Sequence, residues 1–160
     1  MRWLIYLGLA VVAIPVIVVM VGAALPKAHV VSATVQFRAS PSEIFAIIAG
    51  PSTWRGVKYE PLSQTPLQWR ETDSSGDAIT YERVETIEPQ LIVNRIADPK
   101  LPFGGSWTYE IKPNGTGTEL TITENGEVYN PLFRFVSRFI MGHTASIKKY
   151  VVDLKSRLKE

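Results

Sequence analysis

The sequence predicts an α+β fold in which an antiparallel sheet carries a long C-terminal helix, with one transmembrane helix ahead of it. Three observations carry that expectation. The run from Trp3 to Leu25 holds 23 residues without a charge. The middle of the chain is a series of short alternating runs separated by turn residues, the pattern of half-buried strands. The last thirty residues place apolar side chains at three- and four-residue steps, the pattern of one amphipathic helix.

The chain has 160 residues, 46% apolar and 20% charged, which excludes a disordered polar polymer. It divides into an anchor, residues 1–26, and a body, residues 27–160, long enough to bury a core without covalent staples. There is no cysteine, so disulfides, thiolate zinc sites and cysteine nucleophiles are excluded. A formal charge of +2 gives no electrostatic footprint for nucleic acid.

As a helix at 1.5 Å per residue, Trp3 to Leu25 would span roughly 35 Å. The hydrocarbon core of a bilayer is about 30 Å thick, so the expected partner of residues 3–25 is a membrane crossed once. Trp3 and Tyr6 stand where interfacial aromatics belong, and Arg2 and Lys27 bracket the run. A cleaved signal peptide is the competing reading, but its apolar stretch is shorter than this one. Arg2 and the amino group lean toward a cytoplasmic N-terminus, which puts the body on the extracytoplasmic side.

The body opens on a strand, His29 to Arg38, with Val31, Ala33, Val35 and Phe37 in step. Ser40, Pro41 and Glu43 then make a capping box for a short helix, Pro41 to Ile48, stopped by Gly50-Pro51. A second brief turn follows at Ser52 to Trp54. Six strands are expected next: Val57 to Leu62, Leu67 to Thr72, Ala78 to Ile87, Leu91 to Ala97, Ser106 to Lys112 and Thr118 to Tyr129. Asn114-Gly115 between the last two is the strongest hairpin signal. Phe103-Gly104-Gly105 reads as a loop bend at a strand entry, since no lysine or helix start follows to make a phosphate cradle. From Asn130 to Glu160 seven basic residues face two acids, and one stripe runs from Leu132 through Phe139, His143 and Ile147 to Leu158.

At this point the body resembles a known group. Val35-Gln36-Phe37-Arg38-Ala39-Ser40-Pro41-Ser42-Glu43-Ile44-Phe45, the tryptophan at Trp54, and Thr118 to Glu124 running through Tyr129-Asn130-Pro131-Leu132 into the last helix are similar to the START-like, helix-grip superfamily, polyketide cyclase/dehydrase-like branch. The resemblance implies a cavity between the sheet and the C-terminal helix, and a lipid or other hydrophobic small molecule as partner. It also admits a cyclase or dehydratase acting on a hydrophobic substrate, since fold does not settle function. No cofactor, metal or nucleic acid is expected.

Candidate pocket residues are Trp54, Trp69, Tyr81, Trp107, Tyr109, Phe139 and His143, the aromatics and histidine that such a fold gathers. For catalysis the candidates are His143 and Glu124. His143 is read either as a packed histidine satisfied by the sheet or as a general acid/base in the cavity. Glu124 shares strand parity with Leu120 and Ile122, so it points inward to a partner such as Arg95, Arg83 or His143, unless a bulge near Gly126 turns it to solvent. A membrane-anchored binding or transfer protein, an enzyme of the cyclase/dehydratase type, and a purely structural domain therefore stand as the three functional readings.

Overall fold

The computed structural model describes residues 2–65, 67–142 and 144–160, without the side chains of residues 2, 4, 5, 7–10, 12 and 141. The elements are α1 (Arg2–Ala24), β1 (Ala28–Phe37), α2 (Pro41–Ala49), a 3-10 turn (Ser52–Arg55), β2 (Lys58–Gln64), β3 (Leu67–Thr72), β4 (Ala78–Ile87), β5 (Leu91–Ile96), β6 (Phe103–Asn114), β7 (Gly117–Val128), α3 (Pro131–Val136), a π-helical turn (Ser137–Met141) and α4 (Ala145–Leu158).

All seven strands form one antiparallel sheet in the order β1-β7-β6-β5-β4-β3-β2. Hairpins account for every neighbour except one. β1 pairs with β7, Ala28 opposite Glu127 through Phe37 opposite Thr118. Crossing from β1 to β2, at the opposite edge, is the work of α2. Ser40 caps that helix by accepting from the Glu43 amide at 3.3 Å, and Pro41 stands in its first turn. The first strand fixes Arg38 and Ala39 as well, whose amides donate to the Glu160 carboxylate at 2.9–3.0 Å.

The core lies between the concave face of the sheet and the two helices that cover it. Ile92, Ile111, Leu120 and Ile122 come from the sheet, Ile44, Phe45 and Ile48 from α2, and Ile147, Tyr150 and Leu154 from α4. In β7 the period-two pattern reads directly as burial, with Thr118, Leu120 and Ile122 buried and the residues between them half-buried.

Three expectations need correction. The expected continuous helix from Leu132 to Leu158 is broken. Gly142 adopts φ 74°, a backbone region that disfavours other residues, and ends the π turn, while α4 begins separately at Ala145. The stripe therefore splits. Its second half, at Ile147, Tyr150 and Leu154, faces the sheet, while Leu132, Phe139 and Ile140 in the first half are exposed, Phe139 at 59%. Phe103-Gly104-Gly105 is not a loop but the start of β6, where Gly105 (φ 121°) lies against the Asn125 carbonyl so closely that a side chain cannot fit.

The uncharged run does form one helix, α1. A crossing is not shown: among the described residues no helix is long and apolar enough to cross a membrane, with eight side chains in the first half of α1 outside that description.

A buried side chain ties α1 to the body. The Arg134 guanidinium donates to the carbonyls of Gly22, Ala23 and Leu25 at 3.0–3.3 Å and to that of Tyr129 at 3.0 Å. It thus gathers carbonyls at and just past the end of α1, of which that of Gly22 also accepts from the Leu25 amide at 3.3 Å, where a positive charge is favoured by the helix dipole. Gly22 permits this approach, because a Cβ there would collide with the Pro131 carbonyl of α3.

Two outcomes follow for stability. Ile147→Ala should cost about 2–5 kcal/mol in urea unfolding, whereas Phe139→Ala should stay within about 0.5 kcal/mol. The reverse order would place the first half of the stripe in the core. Arg134→Leu, which leaves several carbonyls unpaired, should quicken tryptic cleavage after Lys27 by about tenfold through local opening; an unchanged rate would show that the clasp does not hold the α1 junction.

Candidate ligand cavity

Alternation along the strands decides which side chains meet under α4. In β3, Trp69 and Glu71 share one face and both are buried. Tyr81 lies directly opposite Trp69 in β4, and in the next pairing Asn94 of β5 lies opposite Trp107 of β6. Tyr109 follows on the same face, two residues along. The 3-10 turn contributes Ser52, Trp54 and Arg55, and α4 contributes Tyr150. Together these line a cavity of about 50 Å³ between sheet and helix. That is room for a few waters or a small polar group, well below the hundreds of cubic ångströms of a drug-sized pocket.

The walls are aromatic. Trp69 stacks between Tyr59 and Tyr81, with ring centroids 6.3 and 5.7 Å away, and Tyr150 meets Trp54, Trp107 and Tyr109 at 5.2–5.9 Å. One side is polar. The Glu71 carboxylate accepts from the Ser52 hydroxyl at 2.6 Å, the Trp69 indole at 3.0 Å and Arg55 Nη1 at 3.0 Å. Three donors, one of them charged, offset the cost of burying this carboxylate. Arg83 lies over the Trp69 ring at 5.5 Å and donates to the Asn94 side chain at 3.0 Å and to the Ala49 carbonyl at 3.3 Å.

Burial is the largest influence and opposes the Arg55 charge, yet the guanidinium pKa is held above its ordinary value, with the adjacent Glu71 carboxylate the main opposing cause. Burial lowers that of Arg83. Tyr81, Tyr109 and Tyr150 are all pushed above the usual phenol range, burial being the largest cause in each, so the three stay neutral. In the cavity wall the Trp54 indole N–H and Arg55 Nε are buried without a hydrogen-bond partner, as is Arg134 Nε in the clasp at α1. On its outer side the cavity shares Arg55, Glu71 and Tyr81 with a surface groove of about 370 Å³ that Lys149 also lines. A second groove, of about 580 Å³, shares Gly50 and Trp54 with the cavity.

Of the residues expected from sequence, Trp54, Trp69, Tyr81, Trp107 and Tyr109 surround this one cavity. Phe139 does not. It stacks on Phe135 at 4.8 Å, on the far side of the Gly142 break. His143 lies outside the described residues. Glu124 does not line the cavity but stands next to it, opposite Trp107 in the ladder and half-buried toward α4. It accepts from the Ser146 hydroxyl at 2.6 Å with His29 Nε2 at 3.7 Å, and its charge still reaches Tyr81. Two of the three partners anticipated for Glu124 are engaged elsewhere, Arg83 with Asn94 and Arg95 with Glu82; the third, His143, lies outside the described residues. Gly126 leaves the space that the His29 ring fills.

Sequence reasoning missed Ser52, Arg55, Glu71, Asn94 and Tyr150. Glu71 was findable, since it shares parity with Trp69 in a strand that must bury one face. Among the described residues no group of histidines and carboxylates is arranged to hold a metal.

Comparison with known proteins agrees with this architecture. No curated protein matches the chain. Among solved structures, protein MLL2253 of Mesorhizobium loti is 15% identical, covering 82% of this chain and 97% of its own, with a TM-score of 0.64. Norcoclaurine synthase of Thalictrum flavum is 12% identical, covering 83% and 87%, with a TM-score of 0.62. Protein Mll3558 of Rhizobium loti is 21% identical, covering 82% and 94%, with a TM-score of 0.56. At these identities the likeness is one of fold. The family described as polyketide cyclase / dehydrase and lipid transport matches residues 28–158, every strand of the sheet and the helix laid across it, and the chain belongs to that family.

Proposed function

We propose that this protein binds a hydrophobic small molecule or lipid under α4 while held at a membrane by α1. The observation that carries the reading is the state of Glu71. It is the one carboxylate lining the cavity among the described residues, and Ser52, Trp69 and Arg55 already occupy its oxygens. A carboxylate so committed serves as a structural brace rather than as a proton acceptor for a substrate. The aromatic walls supply apolar contact, while the indole N–H of Trp54 and the guanidinium of Arg55 supply donors for a polar head.

The cavity is small, so a ligand of any length enters by displacing side chains or by leaving its tail in one of the adjoining grooves. Anchoring is supported by the uncharged length of α1 and by the exposed apolar side chains along it, Val11, Ile14, Val16, Ile17, Val19 and Met20. Norcoclaurine synthase, by its name an enzyme, shows that the fold also accommodates catalysis. The binding reading is preferred because nothing described in this cavity is poised to move a proton.

The test is titration of the detergent-solubilised full chain with 1-anilinonaphthalene-8-sulfonate, followed by displacement with lipid extracted from the purified protein. Saturable binding is expected, weakened about tenfold by Trp54→Ala and unchanged by Val152→Ala on the outer face of α4. Absence of saturable binding, or equal effects of the two substitutions, would remove the cavity from consideration. Glu71→Gln should lower stability by about 1–3 kcal/mol, because the Arg55 charge loses its anionic partner. Turnover of the extracted lipid that Glu71→Gln abolishes would overturn the binding reading in favour of an enzyme.

A further inference from the structure

One surface is left unexplained by a ligand under α4. Between Asn130 and Gly142 four large apolar side chains stand in solvent: Leu132 at 47% exposure, Phe133 at 50%, Phe139 at 59% and Ile140 at 71%. Scattered exposed apolar residues are ordinary, but four within nine positions on one short helical segment are a patch. The segment is well formed. Asn130 caps it, its side chain accepting from the amides of Leu132 and Phe133 at 2.9 and 3.3 Å. Phe135 and Phe139 stack within it.

Its position says what covers the patch. α3 is packed against α1 at Gly22 and Pro131, and the Arg134 clasp binds it to the carbonyls at the α1 terminus. The exposed side chains of α3 and the π turn therefore stand next to the exposed apolar end of α1, at Val19, Met20 and Val21. The polar partners of the segment are basic: Arg138 is exposed, and with Lys27 it lines a groove of about 550 Å³ at the foot of α1. An apolar face beside a hydrophobic helix, edged by cations, has the make-up of a helix lying in the interfacial layer of an anionic bilayer.

We propose that α3 and the following π turn, residues 131–141, are embedded in the membrane surface beside the end of α1, with Leu132, Phe133, Phe139 and Ile140 among the acyl chains and Arg138 and Lys27 at the headgroups. This rests on α1 being a membrane anchor, and adds a second contact that α1 alone does not require. The body is then seated on the bilayer by two elements.

The absence of cysteine makes the test direct. Single cysteines at Phe133, Phe139 and Ile140 are labelled with a nitrobenzoxadiazole fluorophore in the full chain, reconstituted in vesicles of phosphatidylcholine and phosphatidylglycerol. Labels at Ile14, within α1, and at Val152, on the outer face of α4, serve as references. Aqueous dithionite should reduce the Val152 label fast and those at Phe133, Phe139 and Ile140 at least about tenfold more slowly, as it does the Ile14 label. Fast reduction at all three positions with Ile14 still protected overturns the surface contact and leaves the anchor standing. Fast reduction at Ile14 too overturns the anchor and with it this proposal. Protection at Phe139 and Ile140 that vanishes when the protein is diluted in lipid would mean that a second copy covers the patch, and would equally overturn it.

Discussion

The pairing of β1 with β7 is the contact on which the rest of the arrangement depends. Ten consecutive residue pairs join the first strand of the sheet to the last, along an edge where no hairpin forces the match. Such a long-range ladder fixes its own register only because one face must be buried; a slip of one residue would turn Val31, Ala33, Val35 and Phe37 outward. Once it is set, α1 enters the body where α3 leaves it. α4 has no route except back across the sheet, and α2 must carry the chain to the opposite edge.

The interior then divides by polarity. Next to α2 the core is aliphatic, with Ile44, Ile92, Ile111 and Leu120 fully buried or nearly so. Toward β3 and β4 it becomes aromatic and charged, with Glu71 and Arg55 in contact and Arg83 laid over Trp69. Buried ion pairs add little net stability relative to apolar packing of the same volume, but breaking one by removing a partner is costly, so Glu71 and Arg55 act as a brace only together.

What could be read from the sequence and what could not have a common physical basis. The succession of strands along the chain and the Ser40 cap were legible because alternation and local hydrogen bonding are properties of short segments. Convergence of Trp54, Trp69, Tyr81, Trp107 and Tyr109 was legible once the element order implied a sheet gripping a helix. The split of the C-terminal helix was not. The apolar spacing of Leu132, Phe139 and Ile147 is continuous, and only the backbone at Gly142 reveals that the two halves serve different surfaces. The Arg134 clasp was equally hidden, because three of its four acceptors lie more than one hundred positions away. The polar wall was missed for a related reason: one charged residue in an alternating strand reads as solvent-facing until its donors from the 3-10 turn are known.

The junction at the foot of α1 bears on how far the body can travel. Between Ala24, the last residue of α1, and Ala28, the first of β1, stand only Leu25, Pro26 and Lys27. Fully extended they would span about 10 Å, and Arg134 takes up even that slack by gripping Gly22, Ala23 and Leu25. With α1 in a membrane, the body is mounted rather than tethered. It would hold a constant height and heading over the bilayer, and the grooves beside its cavity would keep a fixed distance from the lipid. On the proposed reading, such a carrier would not ferry cargo across an aqueous gap; it would exchange it with the membrane beneath or with a partner that comes to it.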